Sequence, residues 1–245
     1  MQGSSRAYGR SVLINLAFYS DQIIPENEAI AETLLALMAS NGLGSKIGYI
    51  ASGPEPDQRF FRERRAYYLH HGLDLCLFHD LDEPHTPSDE DALFRCDAIH
   101  LSGGQTGGFL SRLKRSGLIL RLKRWASEGG LLIGTSAGAI ILTPTIAIDA
   151  LFIGQAPEDL MNETALELVP FEFFPHLSSS PTYLPDLVCY SRHTPRPIIA
   201  CNDGDGLMVT KGALVCIGRP VWIEKGKARP AHSMPLSAFR LQHDS

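Results

Sequence analysis

The sequence predicts an α/β protein, a three-layer α/β/α sandwich built on a mostly parallel sheet. Two observations favour this fold class. Short apolar runs of strand length alternate with longer stretches of helical periodicity between Ser11 and Ser136, and turn-forming residues separate them. This alternation is typical of a parallel sheet with helices on both faces. The 245 residues are enough for one such domain with a sizeable core.

The elements follow one another along the chain as strand and then helix. The first strand is SVLINLAF, and the stretch after Pro25 carries apolar residues at Ile30, Leu34, Leu37 and Met38, which is helical spacing. The further predicted strands are SKIGYIAS, LDLCLFHD, DAIHLSG and LLIGTS. The predicted helices lie in ENEAIAETLLALMASNGLG, PDQRFFRERRAYYLHHG, TPSDEDALFRC and TGGFLSRLKRSGLILRLKRWASEGG, the last of which holds one or two.

The regular alternation weakens between Pro144 and Pro197, where eight prolines interrupt the chain and function-bearing loops are expected. The run GLMVTKGALVCIGRPVWIEKGK (206–227) then predicts short strands that form an antiparallel edge of the same sheet. We expect a flexible leader at residues 1–10, a single domain at 11–230 and a C-terminal tail at 231–245.

Composition excludes several classes of partner. The net charge of −5 and the lack of a basic stripe argue against a nucleic-acid binder. No run of about 18 apolar residues is present to span a membrane, and MQGSSRAYGR lacks the apolar segment of a signal peptide. The cysteines form no CxxC pair, which favours reduced thiols and a cytoplasmic location. These cysteines are Cys76, Cys96, Cys189, Cys201 and Cys216.

The apolar run LLIGTSAGAIILTPTI (131–146) is interrupted by Gly-Thr-Ser-Ala-Gly. Glycines two positions either side of a serine fit a turn that is too sharp for a Cβ atom, and a serine at such a corner presents its hydroxyl. Ser136 also ends a predicted strand, and open α/β sheets place their sites at the carboxyl ends of strands. Ser136 is therefore a candidate nucleophile, with a plain helix N-cap as the alternative.

A serine nucleophile needs a base and a group that orients the base. His176 differs from the other eight histidines because it follows an apolar run directly, between Pro175 and three serines. The run IIACNDGDGLMV offers two carboxylates after a predicted strand, and Asp203 lies nearer to that strand than Asp205. An ordinary Asp-Gly turn is the alternative interpretation of these two residues.

An acyl-transfer site also needs N–H groups that face the developing oxyanion. IHLSGGQTGG ends a strand with Gly103 and Gly104, which are suited to place one N–H beside that of Ala137. A glycine pair of this kind also suits a phosphate, but the sequence has no G-x-G-x-x-G and no Walker lysine. It has no HExxH and no Cys/His cluster at ligand spacing, so no metal is predicted.

LSGGQT, GTSAGAIILTPTI and LELVPFEFFPH occur in this order and resemble the S51 serine peptidases, the family of dipeptidase E and cyanophycinase. The resemblance implies a class I glutamine amidotransferase-like fold, which is flavodoxin-like, and no metal or cofactor. It also implies a triad in the order Ser136, His176 and Asp203. The oxyanion donors that it implies are Gly104 and Ala137. One departure is Gln105, where the family usually has Asn or Asp.

The resemblance implies a small peptide as the substrate. Asp149 lies about two residues from the position of a substrate-binding aspartate in the family. Arginines that hold an aspartyl side chain should follow the catalytic histidine, but 177–190 contains no Lys or Arg, and only Arg192 lies beyond it. We therefore expect a dipeptidase or N-terminal exopeptidase that does not prefer Asp at the first position. The alternative is that Arg59 or Arg62 supplies the missing cation.

Two other interpretations remain open. An α/β-hydrolase esterase also carries G-x-S-x-G, but its acid precedes its histidine, which would enlist His232 or His243. A non-catalytic binding domain on an amidotransferase-like fold is the second. For the assembly, a homodimer is left open.

Overall fold

The computed structural model describes residues 14–179 and 182–239. The strands are β1 (Asn15–Tyr19), β2 (Lys46–Ile50), β3 (Asp74–His79), β4 (Ala98–Leu101), β5 (Leu131–Thr135), β6 (Glu172–Phe174), β7 (Ile198–Ala200), β8 (Gly206–Thr210), β9 (Ala213–Ile217), β10 (Val221–Glu224), β11 (Lys227–Pro230) and β12 (Met234–Pro235). The helices are α1 (Glu28–Ser40), α2 (Arg59–His70), α3 (Pro87–Phe94), α4 (Thr106–Arg115), α5 (Leu118–Ser127), α6 (Ala137–Ile141) and α7 (Leu184–Tyr190).

The helices begin and bury their faces as the sequence pattern predicts. In α1 the residues at helical spacing, Ile30, Leu34, Leu37 and Met38, are all buried. Helix α3 begins after Thr86, whose hydroxyl accepts the Asp89 N–H while the Asp89 carboxylate accepts the Thr86 N–H. The expected loop region also contains 3₁₀ helices at Ala147–Ile153 and Pro157–Leu160.

A mixed sheet of eight strands crosses the centre of the domain in the order β12-β9-β8-β1-β5-β4-β2-β3. The five strands β1, β5, β4, β2 and β3 are parallel, and β8, β9 and β12 are antiparallel to their neighbours. The predicted mostly parallel sheet is therefore confirmed. Its parallel strands all end at one edge, and loops from this edge carry the candidate site.

Both faces of the sheet are covered, because alternate residues of each strand point to opposite sides. In β1, Leu16 and Phe18 belong to the core shared with α4, α5 and α6, whereas Ala17 and Tyr19 belong to the core shared with α1 and α2. Residues of β4 and β5 divide between the two cores in the same way. This arrangement is the predicted three-layer sandwich.

A second, four-stranded sheet in the order β11-β10-β7-β6 corrects one expectation. Residues 206–227 were expected to form one edge of the main sheet, but only β8 and β9 join it, and β10 pairs with β7. The chain turns away at Gly218, whose φ of +82° allows the turn and whose missing Cβ leaves room for the Asp205 carboxylate. Strand β10 then buries Trp222 against Phe239 at 5.2 Å between ring centres.

Residues 231–239, which we expected to lie in a tail, pack against the domain. Met234 and Pro235 pair with β9, and Phe239 is buried. The predicted leader at 1–10 and residues 240–245 lie outside the described residues. Within the described part of the chain, no helix is long and apolar enough to cross a membrane.

Candidate active site

Ser136 lies at a sharp corner between β5 and α6. Its φ is +50° and its ψ is −111°, a conformation that costs energy in any residue with a side chain. The Ser136 N–H donates to the carbonyl of Tyr19 at 3.0 Å, which fixes the corner to the end of β1. A Cβ atom at Gly134 would lie 2.6 Å from the Ala139 backbone, and one at Gly138 would lie 2.1 Å from the Leu101 carbonyl oxygen. Both glycines are therefore required by close backbone approach.

The Ser136 hydroxyl meets His176, which in turn meets Asp203. His176 Nε2 lies 3.0 Å from Ser136 Oγ, and His176 Nδ1 lies 2.5 Å from Asp203 Oδ1. An Asp203 carboxylate favours the tautomer with the proton on Nδ1, which leaves Nε2 free to accept the serine proton. His176 also has a positive φ, +56°, so the loop after β6 aims the ring by a strained backbone.

Ser20, which no local sequence motif marks as a site residue, links His176 to Asp203. Its hydroxyl oxygen accepts the backbone N–H of His176 at 2.8 Å and lies 3.1 Å from Asp203 Oδ1, to which it donates. Ser20 follows β1 directly, as Ser136 follows β5. The sequence signal for Ser20 is its place at the end of an apolar strand. That signal is weak because His176 and Asp203, its partners, lie 156 and 183 residues away in the chain.

Asp205, the alternative acid, has a different set of partners. Its Oδ2 accepts the backbone and side-chain N–H groups of Asn202, each at 3.0 Å, and its Oδ1 accepts the Arg219 N–H at 2.8 Å. Asp205 is buried and holds two turns together, whereas Asp203 faces the imidazole. Of the two carboxylates, Asp203 is therefore the one in contact with His176.

The glycine loop after β4 lies against Ser136, since a Cβ atom at Gly103 would be 3.5 Å from Ser136 Cβ. Gly104 has a φ of +147°, and a Cβ atom there would lie 2.2 Å from Ser52 Oγ, so glycine is needed. The Ser52 hydroxyl donates to the Gly103 carbonyl at 2.6 Å and holds this loop in place. Among the described residues, the N–H groups of Gly104 and Ala137 donate to no other protein group. Both are available to an oxyanion.

A cavity of about 380 Å³ opens beside Ser136 and His176. Its apolar wall includes Ile140, Phe152 and Ile153. Asp149 also lines it, and its Oδ1 accepts the Thr106 hydroxyl at 2.5 Å. Burial raises the pKa of Asp149, and the Thr106 hydrogen bond opposes that rise.

The arginines considered from the sequence lie elsewhere. Arg192 is exposed, and its Nε lies close to Gly226 in the turn between β10 and β11, 2.6 Å from where a Cβ atom of Gly226 would be. Arg59 pairs with Glu63, and Arg62 donates to the carbonyl of Asp57. None of the three is among the described residues that line the cavity of Ser136, so the suggested substrate role of Arg192 gains no support here.

The other candidate groups are also apart from this cavity. His232 lines a different cavity, beside the first residues of β10 and the last of β11, and His243 lies outside the described residues. All five cysteines are free thiols. Across residues 14–179 and 182–239, no group of three or more His, Cys, Asp or Glu side chains has the geometry of a metal site.

The fold and site thus define a class of α/β protein in which a serine at a strained strand-to-helix corner faces a His–Asp pair. The sequence profile of peptidase family S51 matches residues 18–217, and this chain belongs to that family.

The curated relatives of this chain are described as peptidases without a stated specificity. An uncharacterized peptidase of Listeria monocytogenes is 38% identical over 86 residues, which are 35% of this chain and 42% of that protein. An uncharacterized peptidase of Pasteurella multocida is 38% identical over 95 residues, which are 37% of this chain and 44% of that protein. The chain therefore spans less than half the length of the curated relatives it matches.

Solved structures share the fold. A candidate peptidase E protein from Listeria monocytogenes has a TM-score of 0.64 and 21% identity, covering 84% of this chain and 98% of that one. A peptidase from an acI-B1 actinobacterium has a TM-score of 0.63 and 16% identity, covering 94% of this chain and 100% of that one. These neighbours confirm the class I glutamine amidotransferase-like fold.

Proposed function

We propose that this protein is a serine peptidase that hydrolyses short peptides at their first peptide bond. The observation that carries the proposal is the chain of contacts from Ser136 Oγ through His176 to Asp203, at 3.0 and 2.5 Å. In this proposal His176 takes the serine proton as the hydroxyl attacks the carbonyl, and returns it to the leaving amine as the C–N bond breaks. His176 then takes a proton from the water that attacks the acyl-Ser136 ester, and returns it to Ser136 Oγ as the acid leaves. Asp203 orients the imidazole and stabilises its charged form.

Charge on the carbonyl oxygen develops as Ser136 attacks, and preorganised donors lower the energy of that state. The N–H groups of Gly104 and Ala137 are suited to this role because Ala137 follows the nucleophile and Gly104 lies in the loop beside it. The strained corner at Ser136 supports the same proposal. A backbone conformation that costs about 1–3 kcal/mol is retained where the rest of the structure enforces it, and such residues cluster at functional sites.

Asp149 supports action at the N-terminus of a peptide. It is a buried carboxylate that shares a cavity with Ser136, and its one described hydrogen bond comes from Thr106. A buried carboxylate is stabilised by a cation that enters the cavity, and the free ammonium group of a peptide is such a cation. We propose that Asp149 holds this ammonium group and so makes the enzyme an exopeptidase.

The two alternatives are less well supported. The esterase of α/β-hydrolase type needs His232 or His243 as its base, but His176 is the histidine that meets Ser136. A non-catalytic binding domain would not require the contacts that join Ser136, His176 and Asp203. We therefore propose the peptidase, and the following experiment distinguishes it from the esterase and from the non-catalytic domain.

The test is to incubate the protein and the variants Ser136→Ala and His176→Ala with a library of dipeptides and with a serine-directed phosphonate. We expect the parent protein to release free amino acids and to be labelled on Ser136. Each variant should lose roughly 10⁴-fold or more in kcat, because loss of a triad member removes the activated nucleophile. Ser127→Ala is the matched control, since Ser127 is exposed and its hydroxyl donates only to the Arg124 carbonyl.

Thermal unfolding curves check that each variant is folded. A folded parent protein that neither cleaves any dipeptide nor reacts with the phosphonate would support the non-catalytic alternative. Full activity in a folded His176→Ala variant would remove His176 as the base.

A further inference from the structure

A second cavity, of about 300 Å³, shares Gly104 with the cavity that Asp149 lines. Its walls come from the loops after β2 and β4 and from α2. Gly104 lines both cavities, so the proposed oxyanion donor lies where the two meet. None of the steps proposed above uses this second cavity.

Arg64 brings a positive charge to the second cavity. The side chain is half-buried, and its Nη1 donates to the Gln22 carbonyl at 2.8 Å. Its guanidinium also lies over the Tyr67 ring, 5.6 Å from the ring centre. Among the described residues no carboxylate lies within 4.0 Å of it. A guanidinium has five N–H donors in a planar fork that matches a carboxylate, so most of its donors are available.

His100 supplies a further donor to the same cavity. The hydroxyl of Tyr68 accepts from Gln22 Nε2 at 3.1 Å and lies 2.7 Å from His100 Nδ1, so its one proton is donated to that nitrogen. Burial, with a smaller effect of the Arg64 charge, holds the pKa of His100 well below its usual range. The ring is therefore neutral and carries its proton on Nε2. This fully buried atom has no partner among the described residues.

The hydrogen bond between Tyr68 and His100 is oriented through Gln22 by Thr135, the residue before Ser136. The Thr135 hydroxyl donates to Gln22 Oε1 at 2.7 Å, which sets the amide so that its NH₂ group points to Tyr68. Glu55, the one carboxylate among the described lining residues, is occupied by the Phe61 N–H at 2.6 Å and by the Tyr49 hydroxyl at 3.3 Å. The cavity thus offers a cation and a directed donor to an incoming acceptor group.

We propose that the second cavity binds the leaving residue of a dipeptide, with Arg64 and His100 Nε2 donating to its free C-terminal carboxylate. The inference rests on the proposed peptidase function and names its substrate class. A dipeptide carries an ammonium group at one end and a carboxylate at the other, and of the two cavities that share Gly104, Asp149 lines one and Arg64 lines the other. Phe60, which is 61% exposed at the rim of the second cavity, suits an apolar side chain on the leaving residue.

This arrangement makes the enzyme a dipeptidase. A tripeptide carries its carboxylate one residue further from the scissile bond, and a dipeptide amide has no charge there. An interaction between a guanidinium and a carboxylate depends on that charge and on the bidentate geometry. The substrate preference therefore depends on Arg64.

The experiment measures the activity of three variants on each of three substrates. The variants are Arg64→Gln, Arg64→Lys and, as the matched control, Arg62→Gln, since Arg62 is exposed and lines neither cavity. The substrates are Leu-Leu, Leu-Leu amide and leucine p-nitroanilide, of which only the first has a C-terminal carboxylate. We measure kcat/KM for each pair and follow thermal unfolding of each variant.

We expect the parent enzyme and Arg62→Gln to prefer Leu-Leu over its amide by about 10- to 100-fold, the usual range for one charged hydrogen-bonded contact. Arg64→Gln should lose that preference and change less than about 3-fold on the amide and the anilide. Arg64→Lys should recover part of the preference, because it keeps the charge but not the planar fork.

Two results would overturn the inference. An equal loss on all three substrates would show that Arg64 acts on the fold, and an unchanged preference of Arg64→Gln for Leu-Leu over its amide would show that the carboxylate is held elsewhere. A second readout does not need turnover: titration calorimetry of Leu-Leu with Ser136→Ala, and with Ser136→Ala combined with Arg64→Gln. If the parent enzyme cleaves nothing, the proposed function fails, whereas weaker binding of Leu-Leu without Arg64 would still support the carboxylate site.

Discussion

Gly138 lies directly against the end of β4, where a Cβ atom would come within 2.1 Å of the Leu101 carbonyl oxygen. This contact allows α6 to begin immediately after Ser136 and so keeps the nucleophile at the edge of the sheet. The clash involves rigid backbone, so Gly138→Ala must displace either α6 or β4. We expect it to lower the free energy of unfolding by about 1–3 kcal/mol and to reduce kcat strongly.

Chemical denaturation and dipeptide hydrolysis measure both effects of Gly138→Ala. The matched control is Gly107→Ala in α4, where the new Cβ atom would lie 3.5 Å from the Gln105 side chain at an ordinary contact distance. A helical Gly→Ala change stabilises by about 0.5–1 kcal/mol when nothing clashes. If Gly138→Ala were as stable and as active as Gly107→Ala, the close packing of this corner would not be needed.

Asp203 and Asp205 should differ in what they affect. Asp203→Asn removes the carboxylate that faces His176 Nδ1, and we expect kcat to fall roughly 10⁴-fold because the imidazole loses its correct tautomer. Asp205→Asn replaces one of the two oxygens that together accept three N–H bonds by an NH₂ donor, so it should lower the melting temperature and reduce kcat far less. Steady-state kinetics and thermal unfolding on both variants make the comparison. The reverse ranking in kcat would make Asp205 the acid.

The candidate nucleophile and its partners could be predicted because each is encoded locally. Ser136 lies between glycines, His176 and Asp203 each follow an apolar strand, and all three carry signals within a few residues. The fold class was equally readable from the alternation of strands and helices. Their roles in catalysis stay predictions until the variants are measured.

What could not be predicted depends on contacts between distant segments. Ser20 matters only because β1 lies next to β5, which brings it to His176 across 156 residues. In the sequence, Arg64 is one of several charged residues on a polar helix. Its place in a cavity is apparent only when α2 is packed over the ends of β2 and β4. The four-stranded sheet could not be predicted for the same reason. The chain leaves the main sheet after β9 at a single glycine, Gly218, and β10 then pairs with a strand of the other sheet.

Asp149 gives a pH dependence of defined sign. Because burial raises its pKa in the folded protein, the ionised form is costly, and its contribution to stability is present at acid pH and lost as pH rises through the folded pKa. Asp149→Asn should therefore be more stable than the parent protein near pH 7, and this difference should shrink toward acid pH. Melting temperatures across pH measure it, with the exposed Asp159→Asn as the control.

The same residue should affect substrate binding in the opposite direction. The peptide ammonium group needs ionised Asp149, so KM of the parent enzyme should rise as pH falls through the pKa of Asp149. Asp149→Asn should raise KM for dipeptides above the pKa of Asp149, where the parent is ionised, match the parent below it and remove that dependence. Unchanged KM in a folded Asp149→Asn variant would show that the ammonium group is held elsewhere.

The preference for the first residue of the peptide follows from the cavity of Ser136. A site that selects Asp must compensate a desolvated carboxylate with a cation, and no Lys or Arg is among the described residues that line this cavity. Ile140, Phe152 and Ile153 form its wall instead, and Phe152 is held by stacking on Phe174 at 4.7 Å. We therefore expect Leu or Met at the first position to be cleaved at least as well as Asp. The measurement is kcat/KM for paired dipeptides that differ only there, and a preference for Asp above about 100-fold, or about 2.7 kcal/mol, would contradict this expectation.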